Sequence, residues 1–173
     1  MRRAAGFTLI ELMITITVAG ILLMIGVPTM RSVVENGRIR AAGESWKYGL
    51  ALARAEAVRR NAQIEFVTDT DGWQVNVVAT GEVLHQASGN EGAEGLAITM
   101  LPVNADRVTY NSFGTIVDPN PDASPPIQLV NIASSNPPTA DDRYHPLRLQ
   151  VLGGGMTRLC DPAVASTDSR ACL

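Results

Sequence analysis

One carboxylate carries the first chemical question. Glu11 is the only charged residue from Phe7 to Met30, a run of 24 residues. An acidic residue in a membrane-spanning helix costs about 2.5–3.5 kcal/mol near the centre by insertion scales, and less near the end. It therefore calls for a partner, and from Phe7 onward no basic side chain lies within a helical turn or two of it. Cleavage after Gly6 would create one: the α-amino group of Phe7, four residues away. Within one helix that amine lies on the same face, but the amine of an adjacent helix also reaches Glu11. The second arrangement neutralises two buried charges at once and sets an axial register between subunits.

The other reactive residues point away from catalysis. Cys160 and Cys172 are the only cysteines, both close to the C-terminus. A close pair in an otherwise cysteine-free chain suggests a disulfide and an oxidising compartment, with two unrelated thiols as the alternative. Closing that loop would contribute about 3 kcal/mol on the chain-entropy model. His85 and His145 are far apart and belong to no H-E-x-x-H or similar ligand pair, which favours loop or surface histidines. Gly153-Gly154-Gly155 lacks phosphate-loop spacing and sits between two strand patterns, so it reads as a hairpin turn. Asp69/Asp71 and Asp141/Asp142 lack the loop spacing of an EF-hand, and turn chemistry accounts for both pairs. No G-x-S-x-G appears. The sequence predicts a non-enzyme with no cofactor and no metal site.

The elements that carry these residues begin with the apolar run itself. Phe7–Met30 meets the threshold of about 20 residues for a spanning helix. Arg2 and Arg3 precede it and place the N-terminus in the cytoplasm by the positive-inside rule. The bulk of the chain then lies outside the cytoplasm, in agreement with the cysteines. In an ordinary secretory signal the small-residue cleavage site follows the apolar stretch. Here Ala4-Ala5-Gly6 comes before it, so cleavage would leave the apolar helix on the mature protein. A plain membrane anchor explains the length of the run but not Glu11.

Beyond the run, Ile39, Ala42, Trp46, Leu50, Ala53 and Ala57 advance by threes and fours and form one apolar helical face. Arg40, Glu44, Lys47, Arg54 and Glu56 lie largely off it. Glu44 with Lys47 and Glu56 with Arg60 are spaced for helical ion pairs. A helix from Phe7 to about Asn61 would be roughly 80 Å long at 1.5 Å per residue. Pro28 removes one backbone bond and glycines weaken the helix nearby, which predicts a bend or melted stretch near Gly26–Pro28. After Asn61 the period changes to 2. Ile64 and Phe66, then Trp73, Val75 and Val77, alternate with polar residues around the hairpin signal Asp69-Thr-Asp-Gly72. Further strands are expected at 97–103, 107–117, 127–133, 147–152 and 156–160. Loops are expected at Gly89–Gly95, Asp118–Pro126 and Ser134–Pro146. The fold class is α+β, a long N-terminal helix packed on an antiparallel β-sheet. Its segments are a leader at 1–6, a transmembrane or filament-core helix at 7–30, an amphipathic helical half at 31–61 and a β-rich head at 62–173. A net charge of −3 and a pI of about 5.3 give no bulk electrostatic reason to bind nucleic acid.

Gly6-Phe7-Thr8-Leu9-Ile10-Glu11 and the apolar run resemble the class III signal of type IV prepilins and type II secretion pseudopilins. The resemblance implies the type IV pilin fold, cleavage between Gly6 and Phe7 by a prepilin peptidase, and methylation of the Phe7 amine. Glu11 falls on the family's glutamate at the fifth mature position, and Pro28 on its helix-disrupting proline near the twenty-second. The stretch Leu52–Asn61, the Asp71-Gly72-Trp73 hairpin and the tail Arg158-Leu-Cys160-Asp161-Pro162 with Asp168-Ser-Arg170-Ala-Cys172 resemble the GspH/FimT minor pilin family. The tail resembles its FimT/FimU branch.

That resemblance implies a minor pilin that initiates or caps a type IV pilus, within machinery for twitching, adhesion or DNA uptake. Its partners would be other major and minor pilins through the N-terminal helix, the peptidase and the inner membrane. It would sit there by a single pass with a periplasmic head before moving to the pilus and cell surface. A type II secretion pseudopilin of GspH type is the alternative. A third reading is DNA capture for natural transformation. Some members of the branch carry G-R-x-R before the first tail cysteine, where this chain has Gly155-Met156-Thr157-Arg158. From 141 to 173 four arginines balance four aspartates, whereas phosphate binding needs a surplus of positive groups. Arg158 and Arg170 are the candidates for DNA contact, and a solvated face is the favoured reading of both.

Overall fold

The computed structural model describes residues 7–69, 72–88, 95–136 and 144–172; the side chains of 24–29, 69 and 88 lie outside that description. The chain forms α1 (Leu9–Arg60), then β1 (Ile64–Asp69), β2 (Gly72–Val77), β3 (Val83–Ser88), β4 (Leu96–Leu101), β5 (Arg107–Tyr110), β6 (Leu129–Ser134), β7 (Leu147–Val151) and β8 (Thr157–Cys160). Two four-stranded antiparallel sheets result, ordered β3-β2-β1-β5 and β4-β6-β7-β8.

α1 is one helical element of 52 residues. The melted stretch expected at Gly26–Pro28 is not present: the backbone is helical through 24–29, where helical hydrogen bonding on either side carries the chain past Pro28, and the side chains of 24–29 lie outside the description. The helix ends at Asn61, whose left-handed backbone turns the Ala62 N–H back onto the Ala57 carbonyl at 3.2 Å. Asparagine tolerates that conformation, so the stop is encoded locally.

The apolar stripe Ile39, Ala42, Trp46, Leu50, Ala53 and Ala57 is buried throughout. It fills the space between the helix and both sheets. On the first sheet, Phe66 sits between Trp46 and Trp73, with ring centroids 5.7 and 5.6 Å away. The Trp73 indole donates to the Ser45 hydroxyl at 3.1 Å, which gives a buried ring the polar partner it needs. Two helical glycines allow the close approach. A Cβ on Gly49 would stand 2.6 Å from the Phe66 ring, and one on Gly43 would stand 3.2 Å from Leu159 of the second sheet. Gly49 thus admits one sheet and Gly43 the other.

One sheet was expected from the sequence, and two are present. The chain leaves the second sheet at Leu101 and enters the first at Arg107, turning through Pro102–Asp106. Local alternation marks strands but carries no record of which strands pair. β3 had no counterpart in the sequence reading. Its register against β2 shifts between Val75 and Asn76, and this irregularity breaks the two-residue period, so Leu84 and Ala87 both pack on the core. The strand expected at 107–117 stops at Tyr110, turns, and returns through an isolated bridge from Tyr110 to Ile116. β1 and β2 form the expected hairpin with Asp69 opposite Gly72; Thr70 and Asp71 lie outside the described residues, as do 89–94 and 137–143 of two expected loops. The Gly153–Gly155 turn joins β7 to β8, closed by Leu152 N–H on the Met156 carbonyl.

Candidate functional site

The N-terminal third of α1 stands outside the head. Phe7 is 90% exposed, and each large apolar residue described from Leu9 to Leu23 is at least half exposed. Its first turn is closed by a reciprocal cap. The Thr8 hydroxyl accepts from the Glu11 N–H at 3.3 Å, and Glu11 Oε2 accepts from the Thr8 N–H and hydroxyl, both at 2.9 Å. Thr8-x-x-Glu11 is the sequence signature of this capping box, and the reading of Glu11 as a carboxylate in search of an amine passed over it. In the single chain Glu11 is therefore satisfied by its own helix end. Residues 1–6, including Gly6 of the expected cleavage site, lie outside the described residues, as does the Pro28 side chain. Among the described residues no helix is long and apolar enough to cross a membrane, and the apolar run itself passes through 24–29.

The second site is the tail. Cys160 and Cys172 form a disulfide, with Cα atoms 5.1 Å apart. The loop it closes returns alongside the end of β8: Asp161 bridges Ala171 in parallel, and the Asp161 N–H donates to the Arg170 carbonyl at 2.8 Å. The buried Asp161 carboxylate accepts from the Ala163 N–H at 2.8 Å and lies 3.6 Å from Nδ1 of His145. The His145 backbone N–H in turn donates to Oδ1 of Asn36 on α1 at 2.8 Å. The tail is thus tied to the helix as well as to its own strand.

Both candidate arginines already have internal partners. Arg158 donates to the Ala171 carbonyl at 3.0 Å, across the closed loop. Arg170 pairs with Asp168 at 2.8 Å. The Arg170 guanidinium holds the Asp168 carboxyl down at about 2, helped by the Arg170 backbone N–H. His85 lies exposed on β3. Among the described residues no group of three His, Cys, Asp or Glu side chains is placed to hold a metal ion.

Ionic detail on the helix departs from the sequence reading at Glu56. It was placed off the buried stripe, yet it is 8% exposed and held by Arg59 at 2.6 Å as well as by the expected Arg60 at 2.8 Å. The Glu44–Lys47 pair is present at 3.8 Å. Glu35 is also buried near Arg38, and the Ser134 hydroxyl donates to it.

Comparison with known proteins agrees with this anatomy. The prokaryotic N-terminal methylation motif matches residues 1–27, and the type II transport protein GspH family model matches residues 42–160. No curated protein sequence matches the chain. Two crystal structures of the type IV minor pilin FimU from Pseudomonas aeruginosa share its fold. One has a TM-score of 0.56 at 20% identity, covering 79% of this chain and 98% of FimU. The other has a TM-score of 0.52 at 20% identity, covering 75% and 98%. Likeness at that identity speaks for the fold alone. The family model spans well over half the chain, and with the methylation motif ahead of it the protein belongs to the type II transport protein GspH family and carries the type IV pilin fold.

Proposed function

We propose that this protein is a minor pilin, incorporated into a type IV pilus through its N-terminal helix and serving to initiate or cap assembly. The observation that carries the reading is the exposed apolar end of α1. A soluble monomer has no use for a helix whose large hydrophobic residues all face solvent from Phe7 to Leu23. A membrane, and then the helices of neighbouring subunits, would cover it. In this reading a prepilin peptidase cuts between Gly6 and Phe7 and methylates the new amine, residues 7–30 hold the precursor in the inner membrane, and the head lies in the periplasm. The periplasm also suits the Cys160–Cys172 disulfide. On assembly, Glu11 exchanges its Thr8 contacts for the Phe7 amine of a neighbour, and Pro28 loosens the helix where it enters the filament core.

The test is Glu11→Ala in pilus-forming cells. The variant should insert in the membrane, be processed to a methylated Phe7 terminus by intact mass, and yet be poorly recovered in sheared filaments. Recovery at the wild-type level would defeat the reading, and so would a mature protein beginning after residue 25.

A pseudopilin of a type II secretion system is the second reading, favoured by the description of the matching family model. Deleting the gene separates the two: loss of twitching with secretion intact supports the pilus, and the reverse supports the secretion machine. DNA capture ranks third, because Arg158 and Arg170 are engaged within the tail.

A further inference from the structure

β5 is the outer strand of the first sheet, ordered β3-β2-β1-β5. An outer strand presents a row of backbone groups on which another chain can add a strand. On β5 three such groups, from Arg107 and Thr109, are taken by the segment that follows. The Arg107 carbonyl accepts from the Ile127 N–H at 2.9 Å, and the Thr109 carbonyl accepts from the Val117 N–H at 2.9 Å. The Thr109 N–H donates to Oδ1 of Asn120 at 3.1 Å. The Asn120 amide thus stands where the backbone carbonyl of a neighbouring strand would stand.

Asn120 is 2% exposed, whereas every other residue from Asp118 to Pro125 is exposed or half-buried. Its Nδ2 donates to the Ser124 carbonyl at 3.2 Å and to the Ser124 hydroxyl at 3.1 Å. That hydroxyl donates to Oδ1 of Asp122 at 2.6 Å, and Arg107 of β5 reaches Oδ2 of Asp122 at 3.2 Å. The far end of the segment is anchored by Ile127, which is buried in the core. Between its ends lie Pro119, Pro121, Pro125 and Pro126. Proline has no N–H to offer, so the cover over the edge cannot itself extend the sheet. The cover also leaves one group unsatisfied. The Thr109 hydroxyl is buried and finds no hydrogen-bond partner among the described residues. Lifting the segment would let water reach that hydroxyl, so opening recovers a hydrogen bond that the closed form forgoes.

We propose that residues 117–127 form a strap that withholds the β5 edge from strand addition by a second copy of the head, with Asn120 as its pin. Val108, Thr109 and Tyr110 are strong strand formers, so the bare edge is competent to pair. Two copies of one short edge strand meet antiparallel about a two-fold axis, and such a contact is self-complementary.

The test uses the full-length protein in detergent micelles. In Asn120→Ala, amide exchange at Thr109 should accelerate by about tenfold or more, while the amides of β1 and β2 keep their rates. By light scattering, that variant should form dimers or larger species at concentrations where the wild-type protein in the same detergent does not. Adding Thr109→Pro removes the outward N–H from the edge and should return the variant to the wild-type distribution. Thr109 protection that survives Asn120→Ala would overturn the pin. Rapid exchange at Thr109 without association would overturn the guard, as would association that persists in the double variant. Should Asn120→Ala fail to fold, exchange of the wild-type protein in urea below its unfolding transition decides the matter. Thr109 should then exchange through an opening that leaves Phe66 of β1 protected, and exchange of both only together would overturn the strap.

Discussion

The Ser134 hydroxyl donates to the Glu35 carboxylate at 2.5 Å, joining the end of β6 to α1 across 99 positions of sequence. Glu35 is buried, and with Asn36 on His145 it marks where the head takes hold of the helix. A fragment beginning at Arg31 keeps all of these contacts and the whole buried stripe. It should fold as a soluble monomer, because the exposed apolar helix end is gone while the core is intact. Glu35→Ala in that fragment leaves Ser134 without this acceptor and should cost about 1–3 kcal/mol in urea unfolding. Self-association of the fragment at micromolar concentration, seen by sedimentation, would contradict the first expectation.

Glu56 predicts an acid limb to the stability curve. Hydrogen bonds from Arg59 and then Arg60 hold its carboxyl down at about 2, against an ordinary value of 4.5. A carboxylate whose folded pKa is depressed contributes stability that is present above its unfolded value and lost as pH falls through its folded one. The head should therefore lose stability between pH 4.5 and about 2. Glu56→Gln should flatten that limb, measured by thermal melts across the range, while lowering stability at pH 7.

The tail disulfide closes a loop with a sequence separation of 12. Thiol labelling of the denatured, unreduced protein should find no free cysteine. Replacing both cysteines with serine should cost about 3 kcal/mol by the chain-entropy estimate. The loss should fall mainly on local order, because Arg158 and Asp161 hold the same loop through backbone contacts. Two labelled thiols would contradict both the bond and the assigned compartment.

Mobility-shift titration of the Arg31 fragment should show weak DNA binding at most. Two arginines allow a log–log salt slope no steeper than about −2, at about −0.9 per neutralised phosphate. Arg158 would have to leave the Ala171 carbonyl, and Arg170 would have to leave Asp168, before either could neutralise one. Sub-micromolar binding that survives physiological salt and vanishes in Arg158→Ala would put DNA uptake first.

Much of this protein is legible from local pattern. The 3.6-residue period of Ile39–Ala57 named the buried face of α1, since burial of one helical face requires that spacing. The two-residue alternation around Gly72 named β1 and β2 for the same reason. The cysteines could be paired because no other cysteine competes. At the N-terminus, six residues ahead of an uninterrupted apolar run sufficed to place the chain with prepilins. Thr8-x-x-Glu11 was equally legible as a capping box, but attention to charge obscured it.

What remained hidden depends on contacts distant in sequence. Alternation says that a segment is a strand, not which edge it joins, so two sheets were read as one. β3 escaped because its irregular pairing with β2 breaks the period that would have announced it. Glu35 had no place in the sequence reading, and its burial becomes tolerable only once Ser134 arrives from β6; Glu56 was placed off the buried face although its partners Arg59 and Arg60 stand within one helical turn. Arg158 and Arg170 read as a solvated face, with DNA contact as the lesser alternative; in the fold Arg158 reaches Ala171 across the closed tail and Arg170 pairs with Asp168 two residues away. The sequence alone determined the helix, its buried face and its processing signal, because each is written in residues within a few turns of one another. Only the tertiary structure decided sheet partnership and the partners of Glu35 and Arg158, because these are set by groups that folding brings together from farther along the chain.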